Sequence, residues 1–170
     1  MATGGLGMGT APAPAPNNLL EQKLRAEAVV KAAAGWFLWV AALSVVNSFL
    51  SMSGSGIRFI FGLGAAQIID ALAHQAGSSG VVLDLIINGF VAGVLLLFWN
   101  FARKGEKWAF IVGMALYAVD GLILLSLKDV LGTAFHAYAL YRMYRGIAVI
   151  PVLQRIEQAM APAGAPIVPK

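Results

Sequence analysis

Three polar side chains lie inside otherwise apolar stretches and are the first candidates for chemistry: Asn88, Asp120 and His136. Asn88 lies seven residues after the start of its stretch, Asp120 lies seven before the end of the next, and His136 lies seven into the last. At about 1.5 Å per residue, helices that alternate in direction place all three groups about 10 Å below one surface. Asp84 lies one turn from Asn88 on the same helical face. These four residues predict a polar cluster at one level of an apolar bundle.

An Asp120–His136 pair is the most specific hypothesis that this cluster supports. Asp120 shares a helical face with Gly113 and Tyr117, which directs it toward other helices rather than toward lipid. His136 lies about 200° around its helix from Tyr138, at about 100° per residue. A polar stripe that begins at Tyr138 therefore mostly faces away from the side on which His136 lies. The stripe comprises Tyr138, Tyr141, Arg142 and Arg145.

The cluster has a functional and a structural interpretation. Ionisable side chains inside a membrane are functional candidates because leaving them unpaired is unfavourable, and a path for protons or cations through these residues is one alternative. The structural alternative is a polar contact that fixes the register of packed helices, worth about 0.6 kcal/mol on average. We favour the structural interpretation because modest polar contacts of this kind are common between membrane helices.

No metal or cofactor is predicted. Asp70 and His74, at i and i+4, together with His136 offer ligands for a divalent cation, but any solvated helical face supplies such pairs. The chain has no cysteine, which excludes disulfides, thiolate metal sites and cysteine nucleophiles. No nucleotide fingerprint is present. A nucleic-acid partner is not expected either, because most of the residues behind the net charge of +4 flank the apolar runs.

An intramembrane hydrolase is a further alternative. It requires a serine within hydrogen-bond reach of a histidine. The serines considered are Ser44, Ser48 and Ser126. None of them lies in a G-x-S-x-G sequence, and their hydroxyls are expected to bond to the backbone of their own helices.

Long apolar runs must position these side chains. The 170 residues are 59% hydrophobic and 12% charged, with a mean hydropathy of +0.79, whereas soluble domains average about 25% charged residues. Residues 81–102 and 108–127 are each long enough to cross a hydrocarbon core of roughly 30 Å. A charged turn over 103–107 joins them. The predicted fold class is an all-α integral membrane protein.

Four spanning helices are predicted within one helical domain over 18–160. Their ranges are 32–50, 81–102, 108–127 and 130–146. Asn18 and Glu21 form a loose capping box that opens the first helix. Pro151 is expected to start a separate final segment. Arg142 and Arg145 lie near the inner end of the last span, where long side chains reach the headgroups.

By hydropathy alone, residues 57–76 could cross the bilayer, and a fifth span is the alternative here. We expect an amphipathic helix outside the bilayer instead, between the first and second spans, because Gln67, Asp70 and His74 line one face of it. With this segment outside, the basic turn over 103–107 lies in the cytoplasm, as the positive-inside rule requires. Both termini are then cytoplasmic. The tails over 1–17 and 161–170 are rich in alanine, proline or glycine and are expected to be disordered.

Gly89 and Gly93 form a G-x-x-x-G sequence, which permits close helix packing. We expect packing within the molecule, with a homodimer face as the alternative. The sequence as a whole predicts a non-enzymatic accessory or scaffold protein whose partners are the bilayer and a further protein or a second copy. The alternatives are a small proton- or cation-coupled transporter that uses Asp120 and His136, and the hydrolase. Small size and the absence of cysteine suggest a bacterial cytoplasmic membrane.

Overall fold

The described part of the chain is helical. The computed structural model describes residues 16–52, 64 and 78–162, and no strand occurs in these ranges. The helices are α1 (Pro16–Met52), α2 (Ser78–Ala102), α3 (Lys107–Ser126) and α4 (Val130–Met160). Helices α1, α2 and α3 are long and apolar enough to cross a membrane. The all-helical fold class is therefore confirmed, and the three apolar helices indicate a membrane protein.

Helix α1 runs without interruption through the charged stub and the first predicted span. Ion pairs one turn apart, Arg25–Glu21 and Lys31–Glu27, support its exposed first half. The helix begins at Pro16, so Asn18 lies in the first turn and is not the N-cap, which corrects the predicted capping box. Proline is well suited to the first helical position because its missing N–H would have no partner there.

Two short turns connect the last three helices. The α2–α3 turn closes with a hydrogen bond from the Gly105 N–H to the Ala102 carbonyl (2.9 Å), and Gly105 has a φ of +83°, a conformation open to glycine. In the α3–α4 turn, Asp129 is the N-cap of α4 and accepts a hydrogen bond from the Gly132 N–H (2.8 Å). Such short connections make α2, α3 and α4 antiparallel neighbours.

Helix α4 is one helix of 31 residues, and this corrects the predicted break between residue 146 and Pro151. Proline has no N–H for the preceding turn, which disfavours a helix interior. Here Ile150 and Ile156 are buried on either side of Pro151. The far end of α4 also contacts α1, where Lys23 Nζ lies 3.5 Å from a Glu157 carboxylate oxygen. Packing on both sides of the proline therefore stabilises the continuous helix.

The four helices pack in the order of the chain, with α4 returning against α1. Phe37 of α1 lies at the centre, with its ring centroid 5.9 Å from Phe98 and 6.0 Å from Phe110. A Cβ built on Gly113 would lie 2.6 Å from Phe37 Cε1, so a larger residue at this position would have to displace the ring. Gly146 of α4 likewise lies directly against Ala33 and Phe110. These contacts fix which residues of the helices share a level.

The G-x-x-x-G sequence lies on an exposed face of α2. Nothing among the described residues lies within 4 Å of a Cβ built on Gly89 or Gly93. The close packing expected inside the molecule is therefore not made by α1, α3 or α4. Neighbouring side chains on this face are large and apolar, with Ile86 63% and Phe90 72% exposed.

Several predictions fall outside the described residues. The amphipathic helix over 57–76 is described only at Gly64, which is helical and buried. Most of the two tails, 1–15 and 163–170, also lies outside. These parts of the domain organisation stay predictions.

Candidate functional site: a buried aspartate and histidine between two helices

The structure brings Asp120 of α3 and His136 of α4 into direct contact. The distance from Asp120 Oδ2 to His136 Nε2 is 2.8 Å. Both residues are buried, with exposed fractions of 7% and 2%. The α3–α4 hairpin creates this contact because its tight turn makes the two helices antiparallel neighbours, and the two residues lie at similar distances from that turn.

The hydrogen bonds of His136 define how many protons the pair holds. Nδ1 lies 2.9 Å from the Gly132 carbonyl, one turn earlier in α4. A carbonyl can only accept, so Nδ1 carries a hydrogen. One more proton then lies between Nε2 and the carboxylate, either as imidazolium facing carboxylate or as imidazole facing carboxylic acid. Both arrangements have zero net charge, which is the favourable state for a pair surrounded by apolar side chains.

Gly64 closes the site from a third segment of the chain. Its N–H donates a hydrogen bond to the same Asp120 oxygen, Oδ2, over 2.8 Å. A Cβ on Gly64 would lie 2.9 Å from Leu124 Cγ and 3.0 Å from the Asp120 carbonyl oxygen. The backbone approaches α3 this closely because residue 64 is glycine. Asp120 thus joins α3, α4 and the segment between α1 and α2.

Aromatic rings cover the histidine. Tyr117 stacks on the His136 ring, with centroids 4.1 Å apart and planes inclined by 16°. Phe135 meets the imidazole edge-on at 6.3 Å. Gly121 allows α3 to lie close to α4 at His136, since a Cβ built on Gly121 would already lie 3.1 Å from the Cβ of His136. The imidazole is held in one orientation by two hydrogen bonds and a stacked ring.

The chemistry available here is the binding or transfer of the one shared proton. No family model, curated protein or solved structure matches the chain. The interpretation therefore depends on the geometry of the site. Among the described residues, no group of three histidine or acidic side chains is placed to hold a metal ion. Asp70 and His74, two of the three predicted ligands for such an ion, lie outside the described residues.

Asn88 is buried in α2, 3% exposed, but it does not lie at the level of Asp120 that the sequence predicts. Phe37 contacts both Phe98 and Gly113, which puts those two residues at one level. Asn88 is ten residues from Phe98, and Asp120 is seven from Gly113. The two polar groups therefore differ in depth by about three residues, or about 5 Å. Asp84 lies one turn before Asn88 in α2, and its side chain is outside the described part.

Three further polar atoms belong to this end of the bundle. Ser44 Oγ, Asn47 Oδ1 and Tyr117 Oη are buried and have no hydrogen-bond partner among the described residues. Ser44 and Asn47 were not predicted as members of the layer. Ala33 lies at the level of Phe110, so counting along α1 puts Ser44 near the depth of Asp120, but this alignment of the helices comes from the structure and not from the sequence.

The serines do not form a hydrolase site in the described structure. Ser126 is exposed, and its hydroxyl donates to the Ile123 carbonyl (2.7 Å), which confirms the predicted bond to its own helix. Ser44 and Ser48 are buried in α1. The expected bond to its own helix is wrong for Ser44, because its Oγ has no hydrogen-bond partner among the described residues. No hydrogen bond from any of the three to His136 occurs in the described residues, because both ring nitrogens of His136 face other groups.

Proposed function

We propose that this chain is a non-enzymatic accessory or scaffold protein of a membrane. One observation carries the proposal: the buried polar side chains lie at one end of the bundle, and the core beneath them is apolar. The buried core side chains between Tyr117 and the α2–α3 turn, within the described ranges, include Phe37, Phe98, Phe110 and Met143. From Asp120 to the start of α3 is 13 residues, or about 20 Å. A neutral Asp120–His136 pair next to such an apolar core is consistent with a polar contact that holds α3 and α4 together.

Four spanning helices are part of this proposal. Helix α4 is less apolar than the others, but His136 contacts Asp120 and Gly146 contacts Phe110. These two contacts hold ten residues of α4 beside ten residues of α3. If α3 crosses the bilayer, this part of α4 crosses with it. Polar contacts and small residues are the usual means by which a less apolar helix is held in a membrane bundle.

The charges support the orientation that we propose, with both termini in the cytoplasm. Lys23 of α1 meets Glu157 of α4 at the end where the α2–α3 turn carries Arg103, Lys104 and Lys107. Lys107 also donates a hydrogen bond to Gln154 of α4 (3.2 Å). One end of the bundle thus carries most of the basic residues of the described helices, and the positive-inside rule assigns it to the cytoplasm. We extend this to a bacterial cytoplasmic membrane.

A proton- or cation-coupled transporter is the second candidate, and the shared proton of Asp120 and His136 is the observation in its favour. Transport requires a polar route on both sides of the carrier group. The described core offers polar side chains on one side only, which is why we place this candidate second. A hydrolase has no described serine–histidine contact to support it.

Reconstitution tests the proposal against both rivals. Purified protein in vesicles should dissipate neither a pH gradient nor a sodium or potassium gradient faster than empty vesicles do, and Asp120→Asn should behave identically. Flux from the parent protein that is lost in Asp120→Asn, but kept in Glu157→Gln, would contradict the proposal. Hydrolytic activity that disappears in both His136→Ala and Ser126→Ala would contradict it as well.

The scaffold role also predicts a stable partner. Independent extractions of the native membrane in mild detergent should recover the same second protein in a constant ratio to this chain. Repeated recovery of the chain alone would count against the proposal.

A further inference from the structure

Helix α4 carries a polar face that points away from the bundle. Tyr138, Tyr141 and Tyr144 are 48%, 58% and 59% exposed, and Arg145 is exposed between them. Arg142 is half-buried at the edge of this set. We call these five residues the arginine–tyrosine face. Trp36 of α1 borders the face at Tyr138 and Arg142. Tyr141, Tyr144 and Arg145 are exposed, with no helix among the described residues over them.

The face lies at the depth of the apolar helix α3. Gly146 is level with Phe110, which lies three residues inside the start of α3. Arg142 lies four residues farther in the same direction. Seven residues correspond to about 10 Å, so its Cα is about a third of the way across a hydrocarbon core of roughly 30 Å. Hydrocarbon is an unfavourable neighbour for a guanidinium at this depth.

The guanidinium of Arg142 is held toward the membrane interior. Its Nη1 donates a hydrogen bond to Tyr138 Oη (2.8 Å), one turn farther from the basic end. It also lies 5.5 Å from the Trp36 ring centroid and 5.8 Å from that of Tyr138. An arginine that reached the nearest headgroups would extend in the opposite direction. The structure therefore shows a cation fixed by two aromatic rings.

We propose that the arginine–tyrosine face docks a transmembrane helix of another protein, and that this helix carries an aspartate or glutamate at the level of Arg142. This inference rests on the proposed scaffold function. Guanidinium has five N–H donors in a planar fork that matches a carboxylate. The described contacts of Arg142 use one of them. A carboxylate on the partner neutralises the charge and accepts the remaining donors, and tyrosines supply rigid contact area around it.

The described residues of a second copy of this chain do not supply that carboxylate. Asp120, which lies ten residues farther from the basic end than Phe110, is buried and already bonded to His136 and Gly64. Glu27 lies six residues from Ala33 toward the basic end, and the other acidic side chains of the described residues lie near or beyond the helix ends; these are Glu21, Glu106, Asp129 and Glu157. Asp84 is in the first two turns of α2, at the end of the bundle opposite the basic turn. Among the described residues, two copies with the same orientation therefore bring no acid to Arg142, and the charge pattern of this part of the chain favours a different protein.

A pair of synthetic helices tests the inference. Each is a lysine-flanked leucine–alanine transmembrane peptide with one substitution, glutamate in one and glutamine in the other, placed seven residues from one flank. The full chain, labelled at Lys128→Cys, and a labelled peptide are mixed in phosphatidylcholine vesicles, and association is read by energy transfer. We expect the glutamate peptide to bind at least fivefold more tightly than the glutamine peptide. Arg142→Leu and Arg142→Gln should each abolish this preference, whereas Arg155→Leu, on the same helix beyond the face, should retain it.

Other outcomes overturn the inference. Equal binding of the two peptides, or an undiminished preference in both Arg142 variants, would show that the face does not recognise a carboxylate. Transfer between differently labelled copies that Arg142→Leu removes would identify a second copy as the occupant. Competition by phosphatidylglycerol that removes peptide binding would identify anionic lipid instead. Ion flux from the parent protein would contradict the proposed function without changing the peptide preference, so the two failures are distinguishable.

Discussion

At the scale of single residues, Asp120 is notable because one oxygen meets two different groups. Oδ2 accepts the Gly64 N–H and faces His136 Nε2, each at 2.8 Å. A carboxyl oxygen can do both, since it can share a proton with the imidazole and still accept from the amide. An asparagine has its acceptor, Oδ1, and its donor, Nδ2, on different atoms. No single atom at the position of Oδ2 could then both accept from the Gly64 N–H and donate to His136.

We therefore expect Asp120→Asn to lower the free energy of unfolding by about 1–2 kcal/mol, in the range of measured polar contacts between membrane helices. The measurement is helical circular dichroism during titration of the mild-detergent-solubilised protein with a denaturing detergent. Glu157→Gln is the matched control, because its ion pair with Lys23 is partly exposed to solvent and should contribute less than about 1 kcal/mol. Equal losses of unfolding free energy in the two variants would show that the buried Asp120–His136 pair stabilises the protein no more than the Lys23–Glu157 ion pair does.

The pair also predicts non-additivity. Replacing Asp120 alone leaves a buried imidazole without its partner, and replacing His136 alone leaves a buried carboxyl group. Asp120→Leu combined with His136→Leu removes both polar groups, so the double variant should lose less stability than the two single losses together, by about 0.5–2 kcal/mol. The same denaturation titration measures this coupling, and strict additivity would contradict the direct contact.

At the scale of helices, glycines decide how closely the elements approach. Gly146 lies where α4 crosses α1, against Ala33, and Gly113 lies where α3 meets Phe37. Gly93 belongs to a more familiar packing sequence, yet nothing among the described residues lies within 4 Å of its added Cβ. Whether a glycine brings two helices close together thus depends on the helix face that it occupies and not on the sequence motif to which it belongs.

Gly146→Leu should consequently destabilise the bundle by about 1–3 kcal/mol, because the new side chain overlaps Ala33 and Phe110. Gly93→Leu provides the control, since the same change on an open helix face should be neutral or slightly stabilising through helix propensity. Both are measured as unfolding free energies in detergent. A loss in Gly93→Leu as large as in Gly146→Leu would mean that α2 packs against something at this face.

At the scale of the whole molecule, the arrangement places basic residues at one end and the buried polar layer toward the other. Because the chain contains no cysteine, single cysteines report sidedness directly. Lys104→Cys in the α2–α3 turn and Leu24→Cys in α1 should be labelled from the cytoplasmic side. Lys128→Cys in the α3–α4 turn should be labelled from the opposite side. External labelling of residue 104 would reverse the orientation and move the polar layer toward the cytoplasm.

Local sequence determined much of this protein. The length of the apolar runs fixed the helices, the charged turn fixed the α2–α3 hairpin, and the 3.6-residue period placed Asp120 on the buried face with Gly113 and Tyr117. Each of these properties belongs to one stretch of chain. Depth counting also put Asp120 and His136 at one level, since the α3–α4 turn is short.

Tertiary structure decided the rest. The bond from Gly64 to Asp120 joins residues 56 apart in the chain, and the ring of Tyr117 selects one orientation of His136. Helix α4 continues through Pro151 because contacts on both sides outweigh the missing N–H. Gly89 and Gly93 stay on the surface of the described bundle although their spacing suits helix packing. In each case the deciding free energy comes from groups brought together by the rotation and packing of whole helices, which no single stretch of sequence encodes.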